Sequence, residues 1–258
     1  MKKEQYTIII ILIGLLCCDV GLCASDRVAL VIGNTDYKDG PLKNPVNDAN
    51  DLSQALGRLG FDVIKKINVT HREMDHSLRE FKQKITPNGV ALFYYSGYGV
   101  QIKGRNYLLP VGQTIYSPEE IRFKSVQADF VLAKMESAGS KVNIVILDAC
   151  RNNPFEGVRS SSTKGLATMN SIGGMFIMYA TAAGSVASDN PRGRNGLFTE
   201  KLLETLEIPG LLVEQVFKKV GKKVQNASHG RQLPWSVSQL YDDFYFISPK
   251  STRLKITN

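Results

Sequence analysis

Along the chain, short apolar runs alternate with segments in which apolar residues recur at helical spacing. Val28–Gly33, Phe61–Lys66, Val90–Ser96, Val142–Leu147, Met175–Ala180 and Phe244–Ile247 each have strand length and strand-favouring composition. Between the first three, Leu52, Ala55, Leu56 and Leu59 share one helical face behind a cap at Asn47, with Gly60 as the stop. Met74, Leu78, Phe81 and Ile85 share another behind Thr70. Strands separated by helices cross over with a right hand and build parallel sheet. The predicted fold class is therefore α/β, with a central, mostly parallel six-stranded sheet flanked by helices.

Two stretches break this rhythm. From Gly97 to Pro110, two short extended pieces (Val100–Ile102 and Tyr107–Leu109) flank a Lys103-Gly104 turn, which predicts a β-hairpin off the third strand. From Asn152 to Gly174 the chain is rich in Ser, Gly and Thr without periodicity, which predicts a long exposed loop.

The first residues follow a different pattern. Lys2 and Lys3 lead into an apolar run from Ile8 to Cys18, followed by the small residues Gly21, Cys23, Ala24 and Ser25. That order predicts a secretory signal peptide over 1–24, a domain over 25–248 and a loose tail over 249–258. Asp19 interrupts the run well short of the roughly 20 apolar residues a spanning helix needs. The expected product is exported, periplasmic or secreted, with no integral membrane span after cleavage.

With 258 residues, 43% hydrophobic and 22% charged, the chain suits one globular domain. The net charge of +8 favours anionic envelope surfaces or acidic partners. Its densest basic cluster, Lys218, Lys219, Lys222 and Lys223, lies opposite Val213, Val216, Phe217, Val220 and Val224 on one helix. This reads as a solvated helix face, and no nucleic-acid module accompanies it. Three of the four cysteines fall in the leader, leaving Cys150 as the lone thiol of the mature chain. Such a thiol is either buried and inert or kept for its reactivity.

Position bears on that choice. Open parallel sheets bind ligands beyond the carboxyl ends of their strands. Those ends carry Asn34–Tyr37, Ser96–Gly99, Asp148–Arg151 and Thr181–Ser185, so Cys150 lies on the functional edge.

At these residues a resemblance emerges. The stretches RVALVIGNTDY, LKNPVNDAND, ALFYYSGYGVQ, GRNYLLPV, VNIVILDACRNNPF, YATAAGSVASD and RQLPW resemble the bacterial caspase homologues, the orthocaspase and metacaspase-like group. The resemblance implies a caspase-hemoglobinase-like fold with Cys150 as nucleophile. It also implies a histidine where this chain has Tyr98. A phenol with a pKa near 10 is no base at neutral pH, and losing positioned acid–base catalysis costs about 10²- to 10⁴-fold in rate. His71 and His76 belong to a helix after the second strand and His229 to a loop before Gln232, so none replaces it.

Backbone amides of Gly97 and Cys150 remain able to form an oxyanion hole. The family's acidic pocket for Arg or Lys maps onto Asp48, Asp148 and Ser96, with Ser185 and Asp189 in the segment that lines the cleft. A pair of carboxylates has a direct reason to prefer a guanidinium. Asp48 also suits the first turn of a helix, and Asp148 a turn-closing carboxylate. Beyond the hairpin stand only Glu119 and Glu120, without an aspartate cluster, so neither metal nor cofactor is expected.

The resulting expectation is an exported pseudopeptidase that binds peptides or proteins through a basic residue. Two alternatives stay open: a weakly active cysteine endopeptidase cutting after Arg or Lys, and an envelope redox-sensing thiol.

Overall fold

A computed structural model describes residues 26–38, 40–150, 166–169, 173–182, 190 and 193–249. The strands are β1 (Arg27–Gly33), β2 (Asp62–Ile67), β3 (Val90–Ile102), β4 (Arg105–Leu108), β5 (Val126–Gln127), β6 (Val142–Cys150), β7 (Met175–Tyr179) and β8 (Trp235–Gln239). The helices are α1 (Pro45–Arg58), α2 (His71–Lys84), α3 (Pro118–Lys124), α4 (Ala128–Ser137), α5 (Leu197–Leu206) and α6 (Val213–Ala227). The main sheet runs β2-β1-β3-β6-β7-β8, and only the β7–β8 pair is antiparallel.

Successive residues of a strand face opposite sides, so each central strand feeds two cores. On one side Ala29, Val31, Leu92, Tyr94, Ile144 and Ile146 pack under α1, α5 and α6 through Leu52, Leu56, Phe198, Leu202, Val216 and Val220. On the other side Leu30, Ile32, Phe93, Tyr95, Val145 and Leu147 pack under α2 and α4 through Met74, Leu78, Phe81, Val131 and Met135. Leu52 is wholly buried. Removing a buried leucine down to alanine costs about 2–5 kcal/mol.

Local signals explain most boundaries. Thr70 caps α2 through a reciprocal capping box with Glu73. The hairpin forms as β3 and β4 pair around Lys103-Gly104, both at positive φ. It encloses a third cluster with Tyr37, Tyr98, Tyr107, Leu109, Ile115 and Ile121. The expected loop over 152–174 falls largely outside the described residues, as do the leader and the last nine residues of the tail.

Two expectations are corrected. α1 starts two residues earlier than Asn47, with Asn44 at the cap and Pro45 opening the first turn. The sixth strand is Trp235–Gln239, not Phe244–Ile247. Phe244 and Phe246 are buried against the α1–α5–α6 layer, but this run makes only an isolated bridge, Leu212 to Tyr245. Arg27 explains why: its guanidinium donates to the carbonyls of Tyr245 and Phe246. It also stacks over the rings of Phe61 and Phe244. Those carbonyls are satisfied by a side chain instead of a strand neighbour.

Candidate active site

β3 and β6 are the middle of the sheet, and their carboxyl ends carry the candidate residues in register. Ser96 pairs with Asp148, Gly97 with Ala149 and Tyr98 with Cys150. The sequence expectation that Tyr98 and Cys150 share one edge is met at the level of the backbone, Cys150 being the last rung of the ladder.

Asp48, Ser96 and Asp148 come together as expected. α1 delivers Asp48 in its first turn, and the Ser96 hydroxyl donates to Asp48 Oδ2 at 3.3 Å. Asp48 is 1% exposed and Asp148 7%. Burial, followed by the neighbouring charge of Asp148, pushes the Asp48 carboxyl up to about 8. Hydrogen bonds from the Gly196 amide, Asn195 and Ser96 oppose that rise without cancelling it. Two neighbouring buried carboxylates resist double ionisation, so at neutral pH the pair favours sharing one proton.

The start of α5 closes this pair from above. The Gly196 amide donates to Asp48 Oδ1 at 2.9 Å, and the Thr199 hydroxyl donates to Asp148 Oδ2 at 2.8 Å. The Tyr94 hydroxyl lies 2.6 Å from Thr199 Oγ1, and its own ionisation is pushed well upward, first by burial and then by the two aspartates. Helix N-termini favour carboxylates, so the pair also serves as an anchor for α5.

This anchor extends along a polar stripe of α1 that the sequence reading missed. Asn44 donates to the Asn190 carbonyl and Asn47 to the Arg194 carbonyl. Asp51 takes both a bidentate Arg194 guanidinium, at 2.8 and 2.9 Å, and the Asn195 amide. Residues 44, 47, 48 and 51 follow helical spacing, which is the signal that marks them as one working face.

Beneath Gly97 and Tyr98 lies a second polar network, also unread from sequence. The Tyr95 hydroxyl is 2.8 Å from the carbonyl oxygens of both Tyr98 and Leu109, and 3.2 Å from the Tyr37 hydroxyl. Tyr37 donates to the Leu109 carbonyl and accepts from the Tyr98 amide. Asn34 donates to Leu109 and accepts from the Val69 amide. A Cβ on Gly97 would stand 2.7 Å from both phenol oxygens, so only glycine fits there. Tyr98 itself is 7% exposed, its ring edge-on to Tyr37 at 4.7 Å.

Ser185 and Asp189 lie outside the described residues. His76 and His229 are exposed and His71 is half-buried, on α2 or just past α6, and none belongs to the site.

The comparisons agree with this geometry. The family model described as "Caspase domain" matches residues 26–245. The chain belongs to the caspase-domain family. Among its relatives, the human mucosa-associated lymphoid tissue lymphoma translocation protein 1 is 29% identical over 208 residues, covering 77% of this chain and 24% of that protein. Caspase a of Danio rerio is 24% identical over 131 residues, covering 48% of this chain and 33% of that protein. The caspase domain thus spans about a quarter to a third of the curated relatives it matches. In shape, it resembles the Drosophila initiator caspase Dronc, with a TM-score of 0.61 at 14% identity over 86% of this chain and 83% of that one. The caspase fold, a mostly parallel sheet between helical layers, is the one expected from sequence.

Proposed function

We propose that this caspase domain is an exported pseudopeptidase of the bacterial orthocaspase and metacaspase-like kind, which binds a peptide or protein through an Arg or Lys side chain and turns it over poorly. The observation that carries the reading is the rung Tyr98–Cys150, a tyrosine beside the family nucleophile where the resemblance calls for a histidine. A thiol without a neighbouring base is only a few per cent ionised at neutral pH. The buried pair Asp48 and Asp148, two rungs away, supports selection of a basic residue. For a guanidinium to reach them, Gly196 must yield its bond to Asp48, and the incoming cation displaces the shared proton.

The decisive assay uses the mature protein on fluorogenic peptides with Arg or Lys before the leaving group. Turnover near background is expected for the wild type, with a gain of about 10²-fold or more in Tyr98→His. Adding Cys150→Ala removes that gain. Robust wild-type turnover that disappears in Cys150→Ala would overturn the proposal in favour of an active endopeptidase.

A further inference from the structure

We propose that a groove between the β3–β4 hairpin tip and the start of α3 is a docking site for an acidic segment of a partner protein, its carboxylates interspersed with apolar side chains. The groove has a volume of about 790 Å³, and Ile102, Lys103, Arg105, Tyr107, Pro118 and Arg122 line it. Three cations thus line it, Lys103 and Arg105 from the hairpin and Arg122 from α3, with Glu119 as the only carboxylate among the described residues on its wall. Hydrogen bonds at its helix start, from its own backbone amide and Ser117, hold the Glu119 carboxyl below its ordinary range, and Lys103 and Arg122 add smaller contributions. Even so, among the described residues none of the three cations has a carboxylate within 4 Å.

A second basic groove, beside β2 and α2, makes the contrast clear. There Lys66 is paired with Glu80, Arg79 with Asp75, and Lys65 bonds Asn50. Two of its four cations, Lys66 and Arg79, are thus neutralised by carboxylates, whereas among the described residues none of the three in the hairpin groove is. Clustered guanidinium and ammonium groups attract carboxylates and steer their approach.

Two flanking segments of the sequence are poor occupants on charge. Residues 151–165 contain one acid, Glu156, against three bases, and residues 250–258 contain three bases and no acid. A second copy, at a net charge of +8, is repelled. The walls Ile102, Tyr107 and Pro118, with Phe123 70% exposed nearby, add apolar contact for side chains. A concave site of this kind suits a peptide better than a flat bilayer. Base stacking is disfavoured, because Arg122 already covers the Phe123 ring at 4.6 Å and Tyr107 is 9% exposed. The site is independent of the cleft reading, although Ile102 follows Tyr98 by four residues on one strand, or about 13 Å.

The test is fluorescence anisotropy of the mature chain with a labelled peptide of about twelve residues, alternating Glu with Leu and Val and free of Lys and Arg. Saturable binding that weakens with salt is expected. Reversing Lys103, Arg105 and Arg122 to Glu weakens it about tenfold or more, while Lys65→Glu with Arg72→Glu in the other groove leaves it within about twofold. Thermal melts check that each variant is folded. The proposal fails if the triple variant binds as the wild type does, if a Gln-for-Glu peptide binds equally, or if no peptide binds at low salt. It fails equally if anionic vesicles or a single-stranded oligonucleotide displace the peptide from those three residues and bind more tightly. Since the peptide lacks a basic residue, no outcome depends on the aspartate pair.

Discussion

Tyr94 and Tyr95 are neighbours in sequence and serve opposite faces of the sheet, and the two polar networks they join behave differently. Tyr94 sits under Asp48, Asp148 and Thr199, where ionisable groups are crowded out of water. Tyr95 ties the Tyr98 and Leu109 carbonyls to Tyr37 using neutral donors and acceptors alone. The first network therefore responds to pH and to cations. The second fixes backbone geometry under the candidate active site whatever the pH between 5 and 9. One edge thus combines an adjustable half with a rigid half.

Steric intrusion on the rigid half should produce the largest effect. Gly97→Ala drives a methyl into two phenol oxygens and is expected to cost about 3 kcal/mol, read from urea unfolding. Tyr95→Phe removes one hydrogen bond from carbonyls that keep other donors, the Leu109 amide for Tyr98 and the Tyr37 and Asn34 side chains for Leu109, for a loss of about 1 kcal/mol. That loss should be the same at pH 5 and pH 9; a loss that changes with pH would erase the distinction between the halves.

Asp48→Asn probes the adjustable half with a smaller, pH-dependent signature. The native carboxyl keeps its proton up to about 8, whereas the unfolded one releases it near 4. The folded state then holds the extra proton in between, so the contribution of Asp48 to stability falls as pH rises from about 4 to 8 and levels off above that. Asparagine does not titrate. The melting temperature of Asp48→Asn relative to wild type should climb across that window by at least about 3 °C. A constant offset would mean that Asp48 is ionised in the folded state.

Much of the sheet was legible because buried parallel strands are written as apolar runs, as in RVALVIG and VNIVILDAC. β8 was not, because an edge strand half open to solvent reads WSVSQ, while the more apolar FYFI run serves as a cover whose carbonyls Arg27 claims. At the site, Asp48, Ser96 and Asp148 were found through the resemblance and do meet. Tyr95 was passed over because an aromatic residue within an apolar run looks like packing; Tyr37 was placed on the edge, but only the fold brings both hydroxyls to Leu109. The stripe Asn44, Asn47, Asp48 and Asp51 had a visible period, but its partner segment lies some 140 residues away along the chain.

The bond from Gly196 to Asp48 also couples motion to acidity. Whenever the start of α5 lifts, Asp48 meets water, its affinity for the proton drops, and at neutral pH the proton leaves. Local opening of this helix is thus a proton-releasing event, and each rise in pH toward 8 makes it cheaper. Amides at the start of α5 should then exchange with solvent faster in alkaline buffer than the chemistry of exchange alone dictates, so the helix would breathe in step with its surroundings while the tyrosine-braced side stays still.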